Sequence, residues 1–286
     1  TVVRDGLDQY KVLVMPFCDV LTESVVARVK AFQRRGGIVV ADEYLCPAIL
    51  PDIVIPSYKR TGKAQEDKAA LQALAADLRR ELDPFYSRYG DSSDPDLVLR
   101  FRRAGASDYV FVLNDKRTYG DYVGHHGKVM EKGLPLSGTV SLQRTGAAVY
   151  DLLQRQAVPV KRSSTGIEWE ASLAPGAGTV YLVTPRPIEA VRLQAADAVR
   201  RGRALEIAVS VVDSGGAPVR AVVPLKLAIT DPHGQEAEFS GYYGAANGSL
   251  RVRLDLAAND EPGMWTIRAQ ELASGRSARH RFTVSP

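Results

Sequence analysis

Residues 11–43, KVLVMPFCDVLTESVVARVKAFQRRGGIVVADE, constrain the fold more than any other stretch of the chain. Val12, Leu13, Val14 and Met15 form an unbroken apolar run, the mark of a strand buried on both faces. Leu21, Val25, Val29 and Phe32 then recur at helical spacing, with Val26 widening the stripe. Thr22 is the expected N-cap, and Glu23 suits the positive end of the helix. Gly36 and Gly37 stop the helix after Arg34 and Arg35. Residues 38–41, IVVA, repeat the apolar run. A right-handed crossover of this length leaves the two strands parallel.

The pattern continues with a third short strand at residues 53–55, between Pro51 and Pro56, and a second amphipathic helix at 63–82. Leu71, Leu74, Ala75, Leu78 and Leu82 share one face of that helix. Two or three strands are few for an open parallel sheet, which commonly has about five. The remaining strands are expected upstream of Thr1 or from another subunit. Asp91-Ser-Ser-Asp-Pro-Asp96 reads as a linker.

Beyond it the period changes to two. Leu97, Leu99 and Phe101 alternate with Val98, Arg100 and Arg102, and further strands are predicted at 109–113, 139–142, 148–152, 167–173 and 178–183. From about Pro187 the alternation is cleanest: Leu205, Ile207, Val209 and Val211, then Val223, Leu225, Leu227 and Ile229, then Val252, Leu254 and Leu256. Trp265, Ile267 and Ala269, then Phe282 and Val284, close the set. Turn signals such as Asn247-Gly248 and Pro262-Gly263 separate these runs. About seven short strands in roughly 100 residues predict an immunoglobulin-like β-sandwich. Pro224 places its strand at an edge or a bulge, because proline cannot donate to a ladder. The expected fold class is multidomain, α/β plus all-β: a partial parallel sheet over 1–90, a small antiparallel β domain over 91–187 and the sandwich over 188–286.

Composition narrows the function classes. The 286 residues are 45% hydrophobic and 24% charged, as in ordinary globular proteins. No apolar run approaches the roughly 20 residues of a membrane span. The net charge of +4 is scattered, with Arg34-Arg35, Arg79-Arg80, Arg102-Arg103 and Arg200-Arg201 far apart, which argues against a nucleic-acid footprint. Cys18 and Cys46 are too few for a disulfide scaffold, and both a single bridge and two free thiols stay open.

Reactive groups are sparse. Cys18 follows a parallel strand, where open α/β sheets place nucleophiles, but its neighbours Phe17, Asp19 and Val20 are too large for a tight elbow. Its region has no histidine; the four are His125, His126, His233 and His280. Asp42 and Glu43 stand at the carboxyl end of the second strand, the edge that faces a ligand crevice in this topology. They suit a metal or a sugar hydroxyl, or equally are solvated loop charges, or pair with Lys59 or Arg60. The loop at 116–135 is long, polar and aromatic. Within it Arg117, Tyr119, Asp121, Tyr122, His125 and His126 are candidates for an interface or for a carbohydrate ligand. Adjacent histidines without a third ligand at a recognisable spacing do not make a zinc site, so no metal and no cofactor are expected. Asp91, Asp94 and Asp96 miss the calcium-loop spacing.

The strand KVLVMP, the segment LTESVVARVKAFQRRGG and the strand IVVADE resemble the trimerisation domain of β-galactosidase-type glycoside hydrolases. That resemblance covers about a tenth of the chain and implies a flavodoxin-like, class I glutamine amidotransferase-like fold. The amidotransferase Gly-x-Cys-x-Gly elbow and His-x-Glu are absent, so no amidotransferase chemistry is implied. DYVFVLND, GAAVYDLLQRQAVPV and LAPGAGTVYLVTP look like the small β domain at the carboxyl end of such enzymes. PVRAVVPLKLAITDPHG and NDEPGMWTIRAQEL look like macroglobulin or fibronectin-type modules of exported bacterial proteins. The domain order is that of a glycoside hydrolase without its catalytic barrel. What this implies is an accessory, non-catalytic region of a glycoside hydrolase-like protein, assembling as a homo-oligomer or against a missing N-terminal segment. An exported, periplasmic or extracellular, location is favoured over the cytoplasm. The alternatives are an extracellular carbohydrate- or protein-binding module and an unrecognised hydrolase using Asp42, Glu43 and a histidine.

Overall fold

The structure, a computed structural model, describes residues 2–118, 122–123, 128–129 and 131–286. Residues 1–88 belong to one compact unit; residues 89–118 and 131–286 form a second. The first begins with a single helical turn, Val2–Asp5 (α1), followed by the strand Val12–Met15 (β1) and the helix Glu23–Arg34 (α2). Ile38–Ala41 (β2) and Ile53–Val54 (β3) complete a three-stranded parallel sheet in the order β1-β2-β3. Leu13, Met15, Val39 and Ala41 share the face that packs with Val25, Val29 and Phe32 of α2. The helix Ala64–Leu82 (α3) follows.

Strands β4 (Gly90–Ser92), β5 (Leu97–Ala104) and β6 (Ser107–Asn114) open the second unit. Arg117–Thr118 (β7) pairs with Lys132–Gly133 (β10); Tyr122–Val123 (β8) and Lys128–Val129 (β9) pair with each other and belong to the first unit. Leu136–Leu142 (β11), Ala148–Asp151 (β12), Gln156–Val158 (β13), Lys161–Arg162 (β14), Ile167–Leu173 (β15) and Gly178–Thr184 (β16) complete two sheets. Their orders are β14-β15-β11-β4 and β13-β12-β16-β6-β5. Val110, Val112, Val140, Trp169 and Tyr181 form the core of this region, with Trp169 and Tyr181 edge to face at 5.4 Å. Burial there, with the nearby Asp151 charge, pushes the Tyr181 phenol up to about 12.

The remaining strands are Ile188–Gln194 (β17), Ala198–Arg200 (β18), Ala204–Asp213 (β19), Val222–Thr230 (β20), Gly241–Ala246 (β21), Ser249–Asp255 (β22), Gly263–Glu271 (β23) and Ser277–Ser285 (β24). They make one curled sheet in the order β17-β19-β22-β21-β20-β23-β24-β18. Val209, Val211, Leu225, Leu227, Ile267 and Phe282 fill its concave side. Each such fully buried side chain contributes about 1.5–3 kcal/mol. The β21–β22 hairpin turns at Asn247 and Gly248, with φ of 50° and 72°, the left-handed pair that the Asn-Gly signal calls for.

The β5–β6 turn lies against the curled sheet within this unit. Ala106 N–H donates to Arg220 O at 2.9 Å, and the Tyr109 hydroxyl donates to Val222 O. At Gly105, φ +61°, a Cβ would stand 2.5 Å from Arg220 O, so the approach demands glycine. The Tyr150 hydroxyl accepts Ile188 N–H at 2.7 Å, and Tyr150 and Leu182 join the core of the curled sheet.

Four sequence expectations need correction. Part of the expected linker is strand: β4 pairs Gly90, Asp91 and Ser92 with Leu142, Ser141 and Val140. Pro224 lies in β20, interior to the sheet order between β21 and β23. The β23 ladder starts one residue on, at Leu225–Glu271, and the Pro224 carbonyl accepts Leu272 N–H at 2.8 Å, so the missing donor breaks no ladder bond there. The apolar stripe of α3 is not buried: Leu71 and Ala75 are exposed, and Leu74, Leu78 and Leu82 only half-buried. Thr22 starts α2 without a side-chain cap, its hydroxyl bonding Ser24 instead.

Candidate functional site

The carboxyl ends of β1 and β2 bring the sequence's main candidates together. After β1 the chain turns at Phe17, which has φ +53°. A left-handed backbone costs a side-chain-bearing residue roughly 1–2 kcal/mol, and Asp42 holds it there. The Asp42 carboxylate is buried, and its Oδ2 accepts Phe17 N–H at 2.9 Å. Its Oδ1 accepts Tyr44 N–H at 3.1 Å. One carboxylate therefore fixes the two residues whose rings stack, with centroids 5.3 Å apart and planes 17° apart. Cys46 N–H donates to Cys18 O at 2.8 Å, tying the same two loops again.

Asp42 thus spends both oxygens on backbone donors, and is neither the solvated charge nor the partner of Lys59 or Arg60 that its sequence position also allows. Glu43 accepts Ser57 N–H at 3.0 Å and the Ser57 hydroxyl at 2.5 Å. The hydroxyl, then the backbone donors, hold the Glu43 carboxyl below the usual carboxylate range. A carboxylate held ionised in this way is a poor proton donor.

Phe17, not Cys18, occupies the strained position where an elbow would place a nucleophile. The Cys18 thiol reaches Pro16 O at 3.5 Å. Burial, then the Asp42 and Asp19 charges, raise its pKa, which disfavours the reactive thiolate. Cys18 and Cys46 are both free thiols.

The loop candidates divide. Arg117 is exposed on β7 and pairs with Glu131 at 2.8 Å and Asp115 at 3.4 Å. Tyr122 lies in β8, its backbone paired with Val129. Tyr119, Asp121, His125 and His126 lie outside the described residues. Among the described residues no three potential ligands gather around a common metal position. Asp91, within β4, accepts Ser92 N–H at 2.9 Å, and Asp94 caps a local turn, accepting Asp96 N–H at 2.8 Å.

Other buried carboxylates also act as backbone acceptors. Glu271 accepts Ala273 N–H at 2.8 Å, Ser274 N–H at 3.0 Å and Arg276 N–H at 2.8 Å, organising the β23–β24 turn. Asp151 accepts Leu153 and Gln154 N–H, both at 2.9 Å, and the Thr179 hydroxyl at 3.0 Å. Sequence reasoning missed this use because each donor comes from a turn whose path the fold sets.

What the described residues define is a largely β, multi-sheet protein with a small helical unit. No protein-family model matches the chain, and no curated protein matches it. Solved structures overlap it in part. An alpha-L-fucosidase, isoenzyme 2, from Paenibacillus thiaminolyticus is 15% identical over 63% of this chain and 42% of its own, with a TM-score of 0.46. The Yersinia pseudotuberculosis adhesin InvE is 15% identical over 70% of this chain and 62% of its own, with a TM-score of 0.29. Native E. coli alpha-2-macroglobulin is 12% identical over 67% of this chain and 17% of its own, with a TM-score of 0.26. The chain spans less than half of the fucosidase, and these overlaps define no family. No described helix is long and apolar enough to cross a membrane.

Proposed function

We propose that the chain is a non-catalytic accessory region of a glycoside hydrolase-like protein, exported and acting in carbohydrate metabolism, that assembles with another subunit through its first unit. The carrying observation is the apolar exposure around the carboxyl ends of its parallel strands. Val20 is 86% exposed, Val54 67%, Phe17 58% and Tyr44 51%. Large exposed apolar groups gathered around one sheet mark an interaction surface more often than they mark solvent-facing structure. Asp42 fixes the backbones of the two aromatic residues, so they meet a partner with little ordering cost. The likeness of residues 11–43 to a trimerisation domain supports the same reading. The engagement of Asp42 and Glu43 by backbone and hydroxyl donors counts against the alternative of a hydrolase.

Sedimentation velocity across roughly 1–100 µM, a range that spans micromolar dissociation constants, tests this. The weight-average mass is expected to rise with concentration, and Val20→Glu with Tyr44→Glu is expected to weaken association at least about tenfold. A wild-type chain monomeric throughout, or a double variant that associates equally well, would refute assembly through this surface. Aryl-glycoside turnover that disappears in Asp42→Asn would assign chemistry instead.

A further inference from the structure

The convex side of the curled sheet carries a groove that assembly through the first unit does not use. It lies across β17, β19 and β22. Register aligns Arg192 with Ser210 and Ser210 with Ser249; the next row aligns Gln194 with Ala208 and Ala208 with Arg251. The two-residue period puts these six on one face, opposite Val191, Val209 and Val252. Small side chains thus form the floor, and the arginines stand on the two outer strands in different rows. A groove of about 290 Å³ opens between them. None of its lining residues is acidic.

The arginines differ from their neighbour. Arg253, one row along on β22, is paired with Asp255 at 2.9 Å and lies near Glu206. Arg192 and Arg251 make no ion pair among the described residues. A guanidinium offers five donors in a fixed fork that matches a planar or tetrahedral oxyanion. Ser210, Ser249 and the Gln194 amide both donate and accept, which matches ligand hydroxyls. The volume lies at the bottom of the roughly 300–1,000 Å³ range of small-molecule sites, enough for about one ring.

We infer that this groove binds a sugar bearing an oxyanion, either the carboxylate of a hexuronate or a sulfate ester, with Arg192 and Arg251 holding the anion and Ser210, Ser249 and Gln194 the hydroxyls. The site stands independently of assembly through the first unit, because all its residues lie in the second.

Titration calorimetry on the full chain, at a concentration where it is monomeric, tests this with four probes: galacturonate, galactose, galactose 6-sulfate and inorganic sulfate. One of the two acidic sugars is expected to bind at least about tenfold more tightly than both galactose and inorganic sulfate, the size of one charge-assisted contact. Which acidic sugar wins identifies the source of the anion. Arg192→Gln with Arg251→Gln is expected to lose at least about tenfold while thermal unfolding stays unchanged. Ser210→Leu, which fills the floor without changing charge, is expected to weaken the same sugar. Equal binding of acidic and neutral sugars, inorganic sulfate binding as well as the sugars, no heat with either acidic sugar, or an unchanged double variant would overturn the site.

Discussion

Replacing Arg144 with alanine is expected to destabilise the second unit by about 3 kcal/mol. Asp108 is 1% exposed, and Arg144 is its ion-pair partner through Nη1. Arg144 Nη2 also donates to Ala106 O in the β5–β6 turn. The variant would leave the carboxylate with the Tyr89 hydroxyl at 2.7 Å and Arg103 Nε at 3.3 Å, and Arg103 is largely solvent-exposed. A buried charge stripped of its close partner costs several kcal/mol, far more than an exposed pair. Pairing Arg144→Met with Asp108→Asn should recover part of the loss, since the charge goes with its partner. The chain's two tryptophans report the result: Trp169 lies in one core of the second unit and Trp265 in the other. Urea unfolding followed by their fluorescence should shift to lower midpoint. An unchanged midpoint would mean that Arg144 is not what balances Asp108.

Asp42→Ala is expected to cost the first unit about 2–6 kcal/mol, from two backbone donors left without an acceptor at roughly 1–3 kcal/mol each. Phe17 then also loses the bond that holds its left-handed backbone. Asp42→Asn should cost less, because the amide oxygen can still accept one of the two N–H groups. The described helices all lie in the first unit and both tryptophans in the second. Far-ultraviolet helical signal should therefore be lost at lower urea while tryptophan fluorescence keeps its wild-type transition. Coincident, unshifted transitions in Asp42→Ala would remove its role as a clamp.

Periodicity carried most of the strand content because it reports local geometry. The apolar run of β1, the 3.6-residue stripe of α2 and the alternation of Leu205 to Val211 each need no knowledge of the rest of the chain. Tertiary pairing decided the remainder. Gly90, Asp91 and Ser92 are a poor strand by propensity and pair only because β11 offers a partner. Amphipathicity located α3 but could not tell whether anything in the chain would cover its stripe. The site was legible only as positions: Asp42 and Glu43 were placed at the right sheet edge, but their roles depend on donors from Phe17 and Ser57, distant in sequence. Arg192 and Arg251 escaped notice because outward arginines on alternating strands usually signal solvation; only the register brings them to one groove.

Amide hydrogen exchange at low and high protein concentration addresses most directly whether the carboxyl edge of the parallel sheet is a docking face. Backbone segments at 14–22 and 42–46 are expected to gain protection as concentration rises, while segments at 205–229 in the curled sheet stay unchanged. Protection that rises only in the second unit, or nowhere, would contradict assembly through this edge.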